Sequence, residues 1–554
     1  MRRKHLPSLF LLVVGVGMLA AALSVGSAGS QAKKAGSAEA LKGGTLRVNM
    51  HDADFDFVDP QLAYRTDDWE MIYTTSMPLV GFPEKSGAAG SQLTPIAATA
   101  FPTVSKDGKT YTFHIRPGLR FSDGSPVTGA AFQRSWERIL SPKMGSPLGV
   151  NLALQDIVVG GQAFLDGKAQ HISGIKARGN TISFRLTQPN ATFVSILSMQ
   201  WFTAVKPSTP YSSTGLNVYP AAGPYYIASR DPGRSTVLKR NPYYKGDRPA
   251  NPDQIVFTPN VNQDQSLLQT KAGQVDLDLE FTPPNANAQL GQQFGVNKGR
   301  FFVGSTSCVS YMSMNTARAP FDNVNLRRAV NYGIDRPAQV HLLGKYAGKR
   351  TAQLLVPGIP GYKPFNAYPL AGADVVKAKQ VGGSAIASAP TLNLVHTTTP
   401  SAINRAQVAA FNLKQMGFKV NDVPTPATNY YQVIQTRGTN YNLTTNGGWC
   451  ADYFDPFDYM NVLFDGRKIQ AANNNDYTYF NNAAFNKGLD HAASLSGAAR
   501  AAAYAKLDHD LIVKYAPIVP YVLPTNTYFV SSRTKNWIYS AYFGGPYLNA
   551  LSVG

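Results

Sequence analysis

Of the 554 residues, one stretch is long and apolar enough to cross a bilayer: Leu6 to Val25, at the start of the chain. A polytopic helical membrane protein is therefore excluded. Arg2, Arg3 and Lys4 precede the stretch, and a small, polar segment from Ser27 to Ala40 follows it. This is the layout of a secretory signal, with cleavage after Ala28 or Ala32. An uncleaved anchor is the alternative reading of so long a run. No cysteine follows the run, so there is no lipobox cysteine to carry a lipid, and Arg2-Arg3 is only weakly like a twin-arginine signal. Gly15-Val16-Gly17-Met18-Leu19-Ala20 imitates a dinucleotide fingerprint, but no strand precedes it inside the apolar run, and it is discarded.

An exported chain of this length has room for two large lobes or about three domains. Hydrophobic residues make up 44% and charged residues only 15%, which excludes an intrinsically disordered chain. The 52 Lys and Arg outnumber 33 Asp and Glu, a formal charge of +19. The cations are scattered, with no run of five, so they read as a solvated surface and not as a nucleic-acid stripe. Two cysteines exclude a disulfide-dense scaffold and a four-cysteine zinc site. Outside the cytoplasm Cys308 and Cys450 are free to pair. Two separate buried thiols remain an equal reading at this point.

Alternation and turn residues place the elements. Thr45 to Asn49 alternates as a short strand after Gly43-Gly44. Tyr111, Phe113 and Ile115 alternate, Pro117-Gly118 turns, and Leu119 and Phe121 resume, which predicts a hairpin. A helix capped by Thr128 carries Phe132, Trp136, Ile139 and Leu140 on one face and stops before Pro142. Gly179-Asn180 marks a second hairpin. Ile255 to Phe257, a helix from Asn262 to Ala272, and Val275 to Leu279 form a strand–helix–strand unit. Thr391 to Val395, a helix from Ala402 to Met416 closed by Gly417, and Phe418 to Val420 form another. Asn325 to Tyr332 and Ala498 to Tyr515 are further helices, and Asp335 caps one that carries Pro337 in its first turn. Two α/β regions in separate parts of the chain imply two lobes around a cleft.

Enzyme motifs are missing: there is no G-x-S-x-G, H-E-x-x-H, C-x-x-C or phosphate-binding loop, and the eight histidines are dispersed. The densest candidate is Gly447-Gly448-Trp449-Cys450-Ala451-Asp452-Tyr453-Phe454-Asp455-Pro456-Phe457. Its glycines admit a close backbone, Trp449 and Tyr453 offer apolar walls with polar tips, and Asp452 and Asp455 are acids among large apolar groups. A carboxylate in such surroundings needs a partner to stay ionised, and a ligand ammonium would serve. The bland reading is a turn or helix cap, which suits Asp455 before Pro456 best. The two acids would also be the only obvious pair for a hydrolase.

With those residues in view, the chain resembles the extracellular solute-binding proteins of the dipeptide/oligopeptide class, family 5, the receptor components of ABC importers. The resemblance is carried from about Gly43 to about Pro524. Its carriers include Lys109 to Thr128 (KTYTFHIRPGLRFSDGSPVT), Ser135-Trp136-Glu137-Arg138, Gly223-Pro224-Tyr225, Leu238 to Tyr244, Pro320-Phe321-Asp322, Leu326 to Arg336, and Trp449 to Tyr453. It implies an α/β fold: a two-lobed, periplasmic-binding-protein-like trap with an extra domain inserted in the first lobe, closing by a hinge. The implied division is residues 1–32 signal, 33–42 linker, 43–78 with 206–307 and 530–554 as lobe I, 79–205 inserted, and 308–529 as lobe II. The resemblance gives Asp452 the ammonium of a bound peptide, gives Trp449, Cys450 and Tyr453 its neighbourhood, and turns the backbone at Tyr64, Arg65 and Thr66 toward the peptide. It pairs Cys308 with Cys450.

Two positions depart from the pattern. Asn446 stands where some members place an Arg for the peptide carboxylate, and Leu148 where some carry a Tyr. The expected protein is a monomeric, non-catalytic receptor without cofactor or metal. It captures short peptides outside the membrane, binds no nucleic acid, and delivers its load to a membrane permease. A sugar or a metal chelate is the alternative solute, and a surface adhesin or sensory receptor the alternative use of the fold.

Overall fold

The computed structural model describes residues 42–147 and 154–554. The expected signal, nearly all of the linker and Leu148 lie outside the described residues. Among those described, no helix is long and apolar enough to cross a membrane.

The chain enters the first lobe through β1 (Thr45–Asn49) and turns into α1 (Thr66–Thr75). It then leaves for the inserted domain, built from β2 (Thr103–Val104), β3 (Thr110–His114), α2 (Gly129–Leu140), β4 (Ile175–Arg178) and β5 (Thr181–Arg185). Their sheet runs β2–β3–β5–β4. Phe132, Trp136, Ile139 and Leu140 of α2 are buried, as their helical spacing requires. The hairpin at Gly179-Asn180 joins β4 to β5.

The hairpin expected at Pro117-Gly118 does not form. Gly118 turns with φ +80, but β3 pairs with β2 and with the distant β5, not with Leu119 and Phe121. Both of those side chains are buried. Alternation reports which face of a segment is buried and says nothing about its partner strand.

The chain returns to the first lobe with β6 (Tyr225–Asp231), β7 (Ser235–Arg240), β8 (Gln254–Thr258), α3 (Gln263–Lys271) and β9 (Leu277–Asp278). The five strands order as β9–β1–β8–β7–β6, with β1 parallel to both β8 and β9. The β8–α3–β9 crossover is the first strand–helix–strand unit, and the Asn262 side chain caps α3 by accepting from the backbone of Asp264 and Gln265.

The second sheet gathers β10 (Phe301–Ser305), β11 (Cys308–Met314), β12 (Gly348–Arg350), β13 (Leu392–Thr397), β14 (Val420–Thr425), β15 (Leu443–Cys450) and β16 (Ile518–Phe529). Its order is β10–β16–β11–β15–β13–β14, with β12 also on β16. The helix α4 (Val324–Gly333) precedes α5 (Arg336–His341), whose Asp335 cap accepts from Ala338. The second strand–helix–strand unit is β13, α6 (Pro400–Met416) and β14, and Gly417 ends the helix in the left-handed conformation that glycine adopts without a Cβ clash. The chain closes with β17 (Thr534–Lys535) and β18 (Ser552–Val553), and the latter packs on β1.

One strand serves both halves. The first part of β16, Ile518 to Val522, pairs with β11, while Thr525 to Phe529 pairs with β10. The Thr282 amide donates to Thr527 O at 2.9 Å, tying the segment after β9 to the same strand.

Candidate functional site

The segment singled out in the sequence begins on a strand and ends on a helix. β15 pairs antiparallel with β11 in the register Cys308↔Cys450, Val309↔Trp449 and Tyr311↔Gly447. The close backbone that the two glycines admit is the chain's own: a Cβ on Gly447 would lie 2.6 Å from the Tyr311 carbonyl oxygen. Cys308 and Cys450 form a disulfide at the end of this ladder. The chain then turns away at Ala451, and Asp455 starts α7 (Pro456–Leu463) by accepting from the Phe457 amide, with Pro456 in the first turn. The loop that carries Asp452 is thus clamped by a disulfide on one side and a capped helix on the other.

The three acids of this segment are all buried, and each has a different environment. Asp455 faces the guanidinium of Arg500, on α8 (Gly497–His509), through bonds of 2.6 and 2.8 Å, and Arg500 also donates to Thr192 Oγ1 at 2.9 Å. Burial raises the Asp455 carboxyl, and the Arg500 charge opposes that rise. Asp455 is therefore the helix cap that its position before Pro456 indicates, with an ion pair added.

Asp458 stands one turn into α7. Its Oδ2 accepts from Trp449 Nε1 at 3.1 Å and from the Asp452 amide at 2.9 Å, and its Oδ1 has no hydrogen-bond partner among the described residues. Asp452 Oδ2 likewise has none. The backbone carbonyl of Asp452 accepts from the Tyr542 hydroxyl at 2.8 Å. Burial pushes the Asp452 carboxyl up to about 7, and burial together with the neighbouring acid pushes Asp458 well above the carboxylate range.

The first-lobe residues 64–66 lead into α1. Tyr64 stacks on Trp201 with ring centres 5.9 Å apart, Arg65 is extended, and Thr66 is the first residue of the helix. Trp201 meets Trp69 edge-on at 5.2 Å, and Trp69 stacks on Tyr542 at 6.3 Å. A run of aromatic rings therefore connects Tyr64 to the residue that holds the Asp452 carbonyl. Arg65 forms an ion pair with Asp52 and lies 3.7 Å from Glu280. It borders a cavity of about 180 Å³ that His51, Glu70 and Phe543 also line. Among the described residues, His51, Asp52 and Glu280 bring ligand atoms within 4.8 Å of one another, but the Arg65 guanidinium already occupies that negative site.

Sequence reasoning did not find Asp458, Arg500, Gln200 or Tyr542. Tyr542 also donates to Gln200 Oε1 at 3.3 Å. Asp458 lies only six positions after Asp452, but nothing in that spacing says that its carboxyl turns back onto the Asp452 amide. The others lie far along the chain, and no local pattern announces them. Trp449 is half-buried and Tyr453 fully buried. Asn446, at the position where a cation was sought, is half-buried on β15 and accepts from Thr445 Oγ1 at 3.2 Å.

Comparison with known proteins agrees with this architecture. Residues 92–471 match the model of the bacterial extracellular solute-binding proteins, family 5, middle region. The periplasmic oligopeptide-binding protein OppA of Escherichia coli K12 is 24% identical over 456 residues, 78% of this chain and 79% of that protein. The dipeptide-binding protein DppE of Bacillus subtilis 168 is 23% identical over 534 residues, 92% of each chain. The solved structure of clavulanic acid biosynthesis oligopeptide binding protein 2 superposes with a TM-score of 0.84 at 22% identity, covering 93% of this chain and 96% of that one. The two α/β lobes, the inserted domain and a match over well over half of the sequence place this chain among the bacterial extracellular solute-binding proteins of family 5.

Proposed function

We propose that this protein is the extracytoplasmic receptor of an ABC importer and that it captures short peptides by their free amino terminus. The observation that carries the reading is the Asp452 carboxyl: buried, with one oxygen lacking a partner among the described residues, on a loop clamped between a disulfide and a capped helix. A charge so placed needs a cation, and a peptide ammonium supplies one together with three N–H donors. The names of the oligopeptide- and dipeptide-binding relatives support the same solute class. Trp449, Cys450 and Tyr453 frame the ammonium end, and the backbone at Tyr64, Arg65 and Thr66 faces the peptide from the first lobe. The lobes are residues 43–78, 206–307 and 530–554 against 308–529, with 79–205 inserted.

The test is calorimetry with free and N-acetylated peptides identified by mass spectrometry of co-purifying ligand. Asp452→Asn keeps the shape and removes the charge, so it is expected to cost about 3–5 kcal/mol, a hundredfold or more in affinity. Acetylation should do comparable damage to the wild type and little further damage to Asp452→Asn, because both changes delete one interaction. Equal binding of both peptides by both proteins would overturn the reading.

A further inference from the structure

Asp458 plays no part in the ammonium contact just proposed, yet its carboxyl accepts from the Asp452 amide at 2.9 Å. Asp452 and Asp458 are joined through the Asp452 amide, both are at least nine-tenths buried, and each keeps one side-chain oxygen without a partner among the described residues. The ionisable groups facing them are few. Tyr453 and Tyr459 lie on the same segment, Tyr542 comes from the carboxy-terminal segment, and Asp455 is neutralised by Arg500. No cation is therefore available from the protein to offset two negative charges here among the described residues. Two buried carboxyls so close cannot both be ionised, so the pair holds one proton and titrates as a unit.

We infer that Asp458 is a second ligand-reading residue, and that the Asp452–Asp458 pair exchanges the one proton it retains for the primary ammonium of the ligand. This rests on the peptide reading above and extends it. The exchange balances: the pair carries one negative charge with its proton, and two carboxylates with one ammonium also sum to one. The ammonium N–H groups then supply a donor to each of the two orphan oxygens, which a blocked or quaternary amine does not do. The high carboxyl values of both acids agree with a proton held near neutral pH.

Two measurements decide it. The first needs no ligand: carbon-13 NMR of aspartate carboxyls in the disulfide-bonded protein across pH 4 to 9. Two coupled signals with one carboxyl still protonated at pH 7 are expected, and Asp452→Asn, which removes the neighbouring charge, should move the Asp458 midpoint down by at least one pH unit. Asp458 keeps its bonds from Trp449 Nε1 and from the backbone amide of residue 452 in that variant. If both carboxyls ionise below pH 5 in the wild type, the proposal is overturned.

The second is calorimetry of trialanine at pH 7.5 in buffers of different ionisation heat. About one proton is expected to be released per trialanine, with affinity rising as the pH is raised from about 6 to 7.5. Acetyl-trialanine should release none, and Asp458→Asn should bind trialanine without release. Binding without proton release in the wild type overturns the exchange. Failure of trialanine to bind, with the coupled titration intact, counts against the peptide reading and leaves the carboxyl pair standing on the first measurement.

Discussion

A carboxyl group's role in this site is set by what touches it, and the three acids of the 452–458 segment illustrate how little of that is local. Asp455 was legible as a cap because Pro456 follows it, but its ion-pair partner Arg500 lies 45 positions away. The consequence is a stability effect separate from binding. Arg500→Met leaves Asp455 buried and unpaired, with both side chains under a tenth exposed. The expected loss is about 3–5 kcal/mol, read as a lower urea midpoint. Affinity of the remaining folded protein should change less than in Asp452→Asn. An unchanged urea midpoint would show that the pair contributes nothing net. Asp452 was readable as a candidate from residue type alone, whereas Asp458, Gln200 and Tyr542 become neighbours only through folding.

Elements were more legible than their pairing. Both strand–helix–strand units stand where the hydrophobic periods put them, because a crossover needs only local signals: a cap such as Asn262, an apolar face, a stop such as Gly417. The misplaced hairpin at Pro117-Gly118 shows the limit, since β3 finds its neighbour β5 about 70 residues later. The disulfide is the element-scale feature with the largest expected effect. It joins two strands that already pair, across a separation of 142 residues. In the chain-entropy model such a loop contributes about 5 kcal/mol. Unfolded, unreduced protein should show no reactive thiol on titration, and reduction should lower the melting temperature. Reduction should also weaken peptide binding, because the Asp452 loop loses one of its two clamps. Two reactive thiols before reduction would reject the bridge.

At the scale of the molecule, the inserted domain meets the segment after β15 and α8 through aromatic and polar contacts: Phe82 lies 5.1 Å from Phe454, and Arg500 reaches Thr192. Asp452 is buried, so on the proposed reading a ligand reaches it only when the lobes part, by rigid-body motion about the few crossing segments. Small-angle scattering should therefore show a smaller radius of gyration on adding the co-purified peptide than in the stripped protein. An unchanged radius at saturation would count against a trap. The long strand β16 has one further consequence, for the order in which the chain becomes a protein. The second sheet has no centre until residues 518–529 have been made, because β10 and β11 both pair with that strand. The first lobe waits longer still: Asn251 is held by the backbone of Asn549 and Ala550, and Asp276 by Ser531. Neither half is complete until the last tenth of the chain is available. A chain ended at residue 517 should accordingly lack the cooperative unfolding transition of the full protein in calorimetry, and a native-like transition would show that the lobes assemble earlier. A growing chain that stays unfinished to its end is one that a translocation channel can still thread.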